Sequence, residues 1–435
     1  MTFADFLPGL SIMGLLLILL MLRIPIAFAL GGAGVVGLAE ARPWPAVEYL
    51  LSTFAYSATA NFAYIVLPLF LFMGHMAFSA GLSRSAFAAG QMWLGRIPGG
   101  LAAATVFGCA AFSTICGSSV ATASTMARVA LPEMLRQGYK GRLAAGCIAA
   151  GGTLGVLIPP SGILVVYAIM TDVSLVKLFV AALVPGAMTA LIYILGIYVW
   201  VKVDPSLAPS AAGAQRPSWS EKLRSLADTW ELFVLFALVM GTIYLGVATP
   251  TEAAAMGAFF SLLSVLRRPG RLENVLTGLR ETGTATCSIF ALVIGAGLFS
   301  LGLATTQFPT KLATLVTDLN WSQTSTLLII LIPYLILGCF VDGLSMILIT
   351  MPIVFPIIMK IEFNGVLFGL LVTKMVEIGA ITPPVGLNAF VVKSMAPSVP
   401  LSEIFKGCLP FVLMELLIVG LMIAFPQISL FLVPE

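Results

Sequence analysis

Two short stretches that contain adjacent prolines decide the fold: GGTLGVLIPPSG at residues 151–162 and EIGAITPPVGLN at residues 377–388. Proline has no backbone N–H and clashes with the carbonyl of residue i−4, so two in succession interrupt a helix and free several carbonyls. Inside a bilayer, such carbonyls are tolerated only where protein or a wet cavity surrounds them. We therefore predict two broken helices, at about 143–170 and about 365–394, around an internal site. A purely structural kink is the alternative.

The composition of the whole chain places these breaks in a membrane. Of 435 residues, 60% are hydrophobic and 9% are charged, and the mean hydropathy is +1.07. A soluble domain carries roughly a quarter charged residues, so soluble enzymes, nucleic-acid binders and disordered proteins are excluded. At about 20 residues per span, the apolar content is enough for roughly ten to thirteen membrane segments. The lipid bilayer is therefore an expected partner, and nucleic acid is not.

The residues around the two breaks recur at a fixed spacing of 224 residues, from Pro159 to Pro383. Matching broken helices in duplicated halves are typical of secondary transporters with inverted repeats. We predict a first repeat over 1–201, a cytoplasmic linker over 202–229 and a second repeat over 230–435. The recurring residues are Gly155, Pro159, Pro160 and Gly162 in the first half and Gly379, Pro383, Pro384 and Gly386 in the second.

The placement of basic residues supports the inversion. If the linker is cytoplasmic and the chain changes sides at each span, most Lys and Arg residues fall on the cytoplasmic side, as the positive-inside rule requires. Only Arg42, Lys177, Lys311 and Lys360 fall on the opposite side. Equivalent loops of the two halves then lie on opposite sides of the membrane. The predicted fold class is an all-α polytopic membrane protein with two inverted-topology repeats.

Each half also contains a segment that does not read as a plain spanning helix. Residues 113–125 are rich in Ser and Thr around one glycine, which is too polar for a helix that faces lipid. A re-entrant hairpin at about 99–133, with its tip at 116–119, would bury these groups. Its counterpart lies at about 325–359, with a tip near 338–343. Ordinary helices that pack closely through small residues are the alternative.

Charged residues inside the membrane are few. Lys374 precedes Glu377 by three residues on one helical face, which favours an ion pair between them. Arg128 either faces a carboxylate or extends to the cytoplasmic interface. Asp342 lies at the second predicted tip. The single histidine, His75, lies in an apolar helix and is expected to pack there without relaying protons.

Together these motifs resemble one family, the large membrane (M) subunit of the tripartite ATP-independent periplasmic (TRAP) transporters. The resemblance covers essentially the whole chain. Besides the two breaks, it is carried by FSTICGSSVATAS at 112–124, ATPTEAAA at 248–255 and DGLSMILITMP at 342–352. It implies a bacterial inner-membrane transporter that imports organic acids, such as C4-dicarboxylates or sialic acid, with Na⁺ by an elevator mechanism. It also implies two partners, a periplasmic substrate-binding protein and a small four-helix membrane subunit on a separate chain.

The resemblance further implies where ligands bind, although the sequence does not show which groups are the ligands. No transition-metal site, organic cofactor or catalytic residue is expected. One sodium site would lie between the first tip and first break, at Gly117, Ser118, Ser119, Gly152, Gly155 and Pro159. The other would lie at Gly338, Asp342, Gly343, Gly379 and Thr382. The carboxylate would lie between the tips near Thr122, Ser161 and Asn388, with Arg128 as a further candidate.

Other functions stay open at this point. A stand-alone carboxylate symporter of related fold, coupled to Na⁺ or H⁺, shares every feature above; Asp342 and Glu377 could carry protons in it. An intramembrane serine protease would need a serine beside a general base. The only histidine is in another helix, and no G-x-S-x-G motif is present. A channel is a further alternative, but duplicated broken helices suit alternating access better.

Overall fold

The computed structural model describes residues 6–209 and 217–433, and within them the regular structure is helical. Short 3₁₀ turns at Phe62–Ile65 and Pro205–Leu207 and a π-helical turn at Ala237–Gly241 join the α-helices. The α-helices, in chain order, are α1 Leu7–Met21, α2 Ile26–Ala41, α3 Trp44–Thr59, α4 Val66–Ser79, α5 Leu82–Leu94, α6 Gly100–Cys116, α7 Ser119–Arg136, α8 Gly141–Leu157, α9 Gly162–Thr171, α10 Leu175–Val203, α11 Trp219–Ala227, α12 Trp230–Phe236, α13 Thr242–Tyr244, α14 Pro250–Leu266, α15 Arg271–Thr305, α16 Phe308–Asp318, α17 Gln323–Gly338, α18 Gly343–Lys360, α19 Gly365–Ala380, α20 Leu387–Met395, α21 Leu401–Ala424 and α22 Gln427–Leu430.

Fewer of these helices are full-length spans than the apolar content suggests. In the described ranges, six helical segments are long and apolar enough to cross a bilayer, and a seventh is added if the pair α11 and 230–244, bent by 51°, is one span. Five more apolar helices have only 10–17 residues: α1, α2, α6, α14 and α17. An apolar residue count cannot separate spans from shorter segments, which accounts for the larger sequence estimate.

The two predicted hairpins are pairs of helices joined by short tips. Helix α6 ends at Cys116 and α7 begins at Ser119; Gly117, with φ +63°, makes the turn without the steric cost a side chain would add. In the second half, α17 ends at Gly338 and α18 begins at Gly343. The residue before each returning helix is its N-cap: Ser118 for α7 and Asp342 for α18.

The two Pro-Pro stretches break their helices as the pattern predicts. The peptide bond is cis between Pro159 and Pro160 and also between Pro383 and Pro384. The first break separates α8 from α9, and the second separates α19 from α20. Both upstream helices are almost fully buried, from Leu143 to Leu157 in α8 and from Val366 to Ala380 in α19. The first break therefore lies inside the protein, where freed backbone groups find partners, whereas Pro383 and Pro384 of the second break are exposed.

Glycine contacts bring the halves together in the core. A Cβ on Gly146 of α8 would lie 2.5 Å from the Gly407 carbonyl carbon of α21, so the two backbones touch. Close backbone approach at small residues is the usual way that helices pack in membranes, because lipid offers no hydrophobic force between them. Helix α8 of the first half is thereby held against the last long helix of the second.

The predicted linker is only partly described, because 210–216 lie outside the described ranges. Its helix α11 begins with a capping box, in which the Ser218 hydroxyl accepts from the Glu221 N–H and Glu221 accepts from the Ser218 N–H. These hydrogen bonds from Ser218 hold the pKa of Glu221 below its usual value. The Lys222 ammonium lies over the rings of Trp93 (5.4 Å) and Trp219 (5.1 Å), which attaches α11 to α5.

Candidate substrate and cation site

A cavity of about 350 Å³ lies where the two hairpin tips and the two breaks meet. Helices α4 and α15 form its opposite wall, through residues such as Phe70 and Ile289. Both halves of the chain thus contribute to one space of the size typical of small-molecule sites. Its polar and acidic lining residues are Cys116, Ser118, Ser119, Ser288, Asp342 and Glu377.

Four helices begin at the cavity wall. The first residues of α7, α9, α18 and α20 all line it: Ser119, Gly162, Gly343 and Leu387. Each helix N-terminus carries roughly half a positive charge and unpaired N–H groups, so it favours an anion. None of the lining residues, all within the described ranges, is Lys, Arg or His. An anion in this cavity would therefore be held by backbone dipoles and hydroxyl groups.

The first junction, where the tip at 116–119 meets the break at 158–161, is closed by two glycines of α8. A Cβ on Gly155 would lie 2.6 Å from both the Ser118 carbonyl oxygen and the Thr122 hydroxyl oxygen. A Cβ on Gly152 would lie 3.0 Å from the Ser119 carbonyl oxygen. Any side chain at these positions would fill the space between α8 and the tip, so glycine is required for the close approach.

Two oxygen atoms at the first junction are buried without a hydrogen-bond partner. They are Oγ1 of Thr122 and Oδ1 of Asn388, and both residues are fully buried. The amide nitrogen of Asn388 donates to the Ala149 carbonyl oxygen at 3.4 Å, so only its oxygen is left. Buried acceptors without partners are uncommon and costly. Together with the neighbouring carbonyls, these neutral oxygens are the donor set that a hard cation such as Na⁺ accepts.

The second junction, where the tip at 339–342 meets the break at 381–386, repeats this contact. A Cβ on Gly379 would lie 2.5 Å from the Cα of Gly338. The Asp342 carboxylate accepts from the Ser345 N–H at 3.1 Å, and the Thr382 hydroxyl donates to the Ile378 carbonyl oxygen at 2.6 Å. The hydroxyl and carboxylate oxygens keep free lone pairs, so this junction also offers ligands for a hard cation.

One hydrogen bond joins tip to break at equivalent places in the two halves. The N–H of Gly162 donates to the Gly117 carbonyl oxygen at 3.3 Å, and the N–H of Gly386 donates to the Cys339 carbonyl oxygen at 3.1 Å. Gly162 and Gly386 are separated by the repeat spacing. Each break is therefore fastened to its own tip by the backbone.

The structure brings the predicted sodium residues together but places the predicted substrate residues elsewhere. Thr122 and Asn388 lie behind the first tip, beside Gly155 and Gly152, and do not line the cavity. Ser161 is buried and caps α9 by accepting from the Leu164 N–H. Arg128 is exposed on α7, about 13 Å along the helix from Ser119. The structure does not bring it to the cavity.

The predicted ion pair between Lys374 and Glu377 is not the one that forms. Lys374 pairs with Glu415 of α21 and also donates to the Thr189 hydroxyl at 2.8 Å; Tyr193 donates to the same carboxylate at 2.6 Å. Glu377 points to the cavity instead, and its Oε2 is buried without a hydrogen-bond partner. Helical spacing predicts an ion-pair partner on the same helix, but it cannot predict a pair with Glu415, which is 41 residues away in the sequence.

His75 pairs with Glu281, whereas the sequence predicted only that it packs in an apolar helix. Its Nδ1 lies 2.9 Å from Oε2 of Glu281 on α15. This contact joins α4 to α15, the two helices that form the outer wall of the cavity. The sequence pattern does not identify α4 and α15 as cavity walls, because Phe70 and Ile289 are ordinary apolar residues in long apolar runs.

Comparison with known proteins agrees with this architecture. The chain is 35% identical, over 86% of its length and 87% of the other, to a "C4-dicarboxylate TRAP transporter large permease protein DctM" of Pseudomonas aeruginosa. It is 30% identical over 98% of its length to an "Isethionate TRAP transporter permease protein DctMQ" of Oleidesulfovibrio alaskensis, covering 67% of that protein. A sialic acid TRAP large permease of Vibrio cholerae is 28% identical over 86% of this chain and 87% of that protein.

A solved structure and a family model complete the comparison. The YdaH transporter of Alcanivorax borkumensis shares the fold, with a TM-score of 0.65 at 16% identity over 98% of this chain and all of the other. Residues 13–428 match the model described as "Tripartite ATP-independent periplasmic transporter, DctM component". The chain therefore belongs to this family of large TRAP permease subunits, which are multi-pass proteins of the bacterial inner membrane.

Proposed function

We propose that this chain carries a small organic acid across the inner membrane and that Na⁺ drives the import. The observation that carries the proposal is the cavity between the tips, which four helix N-termini face and no basic side chain lines. Such a site suits an anion of modest size, because several dipoles share its charge, and a cation bound beside it would offset the Asp342 and Glu377 carboxylates that also line the cavity. The printed names of relatives, which include C4-dicarboxylate, isethionate and sialic acid permeases, support this substrate class.

Sodium coupling is supported by the oxygens at the two junctions. Thr122 and Asn388 offer unpaired buried oxygens at the first junction, and Asp342 and Thr382 offer oxygens at the second. A cation bound there would hold a tip against its break and complete the cavity for the anion. Opposite charges in adjacent sites stabilise each other, which links the binding of one to the binding of the other.

An elevator movement is supported by the arrangement of the cavity walls. One side consists of the two tips and two breaks, and the hydrogen bonds of Gly162 and Gly386 fasten each break to its own tip. The other side consists of α4 and α15, which the His75–Glu281 contact joins. The substrate would lie at the boundary between these two bodies, and sliding one along the other would carry it across the membrane.

The proposal includes two partners, a periplasmic binding protein that delivers the substrate and a small membrane subunit. To test it, the chain and its small subunit are reconstituted in liposomes with an inward Na⁺ gradient. Uptake of radiolabelled succinate, and of a panel of other organic acids, is measured with and without the cognate binding protein. Uptake that needs both Na⁺ and the binding protein supports the proposal.

The same experiment separates the rival functions. Equal uptake without the binding protein would favour a stand-alone symporter. Full uptake in Na⁺-free buffer, driven by a pH gradient alone, would overturn the sodium assignment and make Asp342 and Glu377 the leading proton carriers. Flux that shows no saturation and no dependence on a gradient would favour a channel.

A further inference from the structure

A second cavity, of about 330 Å³, lies on the far side of the first hairpin and is almost wholly apolar. Helix α6 supplies Phe107 and Ala110, α10 supplies Ala187, and the linker helices supply Leu226 and Phe233. Ala187 and Phe233 are exposed, the latter by 51%, so the cavity opens sideways on the surface. In a membrane-spanning region, such an opening faces lipid.

The inner wall of this apolar cavity, at Ala89 and Thr229, adjoins a polar cavity of about 470 Å³. Ala89 lines both, and Asp228 of the polar cavity is adjacent to Thr229 of the apolar one. The polar cavity contains two arginines, Arg84 and Arg268. Arg268 donates to Glu231 at 2.8 Å, whereas Arg84 makes no ion pair or hydrogen bond with any described residue. Asp228 lines the same polar cavity but forms no ion pair with Arg84, which therefore leaves an unpaired cation beside the apolar slot.

We propose that this double cavity binds one anionic phospholipid of the bilayer. The phosphate would lie at Arg84, and an acyl chain would lie between α6 and α10. Charge complementarity supports this occupant, since the apolar slot alone would accept any hydrocarbon. The surroundings are typical of a membrane–water interface: Trp93 and Trp219 lie beside Lys222 next to α11, and aromatic and basic residues concentrate at that depth.

The position of the lipid gives it a role. Helix α6 ends at the tip that lines the transport cavity, whereas α10 to α12 lie outside that cavity. An acyl chain between them would fill the space into which the hairpin arm could otherwise move. Lipid occupancy would therefore make hairpin movement depend on bilayer composition. The binding itself does not depend on what the transporter carries.

The test measures bound lipid on the purified full-length chain by native mass spectrometry after titration with phosphatidylglycerol. R84Q removes the head-group cation, and A187F fills the acyl slot from an exposed position. Each should weaken lipid retention about fivefold or more, the effect expected from one arginine near an anionic head group. R224Q, an exposed arginine of α11, and L191F, an exposed position of α10, line neither cavity and should retain lipid like the wild type.

Each other outcome overturns the proposal. If R84Q and R224Q retain equal amounts of phosphatidylglycerol, the lipid is held only by non-specific attraction between charges. Equal retention of phosphatidylcholine by the wild type would remove the head-group assignment. A photo-crosslinker at position 187 that labels the small subunit in native membranes, and not lipid, would identify a protein helix as the occupant. Unfolding temperatures of all variants, measured in parallel, exclude loss of lipid through loss of fold.

Discussion

The two Pro-Pro junctions share a backbone plan but differ in their surroundings. Both place a glycine of a buried helix against a hairpin tip, and both fasten tip to break with one backbone-to-backbone hydrogen bond. At the first junction Pro159 and Pro160 are buried and the tip is neutral; at the second Pro383 and Pro384 are exposed, and the tip carries Asp342. The two junctions therefore share their backbone geometry, while the side chains around them differ.

The buried ion pair is a further difference between the halves. Lys374 and Glu415 lie on α19 and α21, and the repeat spacing of 224 relates them to Ala150 and Leu191 of α8 and α10. The second half thus holds its broken helix with a charge pair, whereas Leu191 at the matching position of the first half is exposed and Ala150 carries no charge. Such a pair is costly to bury but much costlier to break, because removal of one partner leaves the other uncompensated.

The largest predicted effect comes from breaking this pair. K374M should lower the free energy of unfolding by about 3–5 kcal/mol, since the Glu415 carboxylate would lie in the core without a counter-charge. The loss is measured by denaturant unfolding of the purified chain in mixed micelles. The double variant K374M/E415L should recover most of the loss, because no uncompensated charge would remain in the core.

An exposed pair on the same long helix provides the control. Lys406 and Glu403 lie 2.8 Å apart at the surface of α21, so K406M should change stability little because water already screens this pair. A K374M variant as stable as K406M would show that the buried pair does not hold α19. Failure of the double variant to recover would show that Thr189 or Tyr193 also needs the charge.

Glycine substitutions at the two junctions should have the next largest effect. G155A and G379A each push a methyl group into a backbone contact, and overpacking of this kind costs about 1–3 kcal/mol. Na⁺-driven uptake should therefore fall about tenfold or more in both variants. The loss should be larger for G155A, because the first tip is enclosed by buried neighbours, whereas the second lies nearer the surface and can shift.

Gly420 of α21 supplies the matched control, because a Cβ there would meet no atom within 4 Å. G420A should transport like the wild type and gain slightly in stability from better helix propensity. If G379A loses more uptake than G155A, the greater exposure of the second junction does not make it more tolerant of an added methyl group.

Much of this comparison could be predicted from the sequence, because it rests on local chemistry. Proline pairs and a Gly-Ser tip act over a few residues, and the fixed repeat spacing marks their counterparts in the second half. The structure breaks its helices at those positions. The partners of Lys374 and His75 could not be predicted, since they come from helices 41 and 206 residues away. The sequence also does not predict that Thr122 and Asn388 lie behind the tip or that Arg128 lies away from the cavity. These positions depend on how α7 and α20 are rotated about their axes when they pack.

Removal of one hydroxyl from each junction tests the two candidate cation sites directly. T122V should raise the Na⁺ concentration for half-maximal uptake about tenfold, because a fully buried oxygen has no substitute. T382V should raise it less, about threefold, because Thr382 is partly exposed and water can take its place. Uptake is measured over a range of Na⁺ concentrations, with S394A of α20 as an exposed hydroxyl control. Equal effects of T122V and S394A would remove Thr122 from the cation site.

The smallest predicted effect isolates the charge that distinguishes the second tip. Asp342 caps α18 through the Ser345 N–H, and asparagine caps helices about as well as aspartate. D342N should therefore unfold at the same temperature as the wild type, while D342A should unfold earlier. If the carboxylate helps to bind Na⁺ at the second junction, D342N should raise the Na⁺ concentration for half-maximal uptake by about threefold, less than the loss of a buried oxygen at the first. An unchanged Na⁺ dependence in D342N would mean that the second junction, like the first, binds its ion through neutral oxygens, and that the acidic tip serves only to begin the helix.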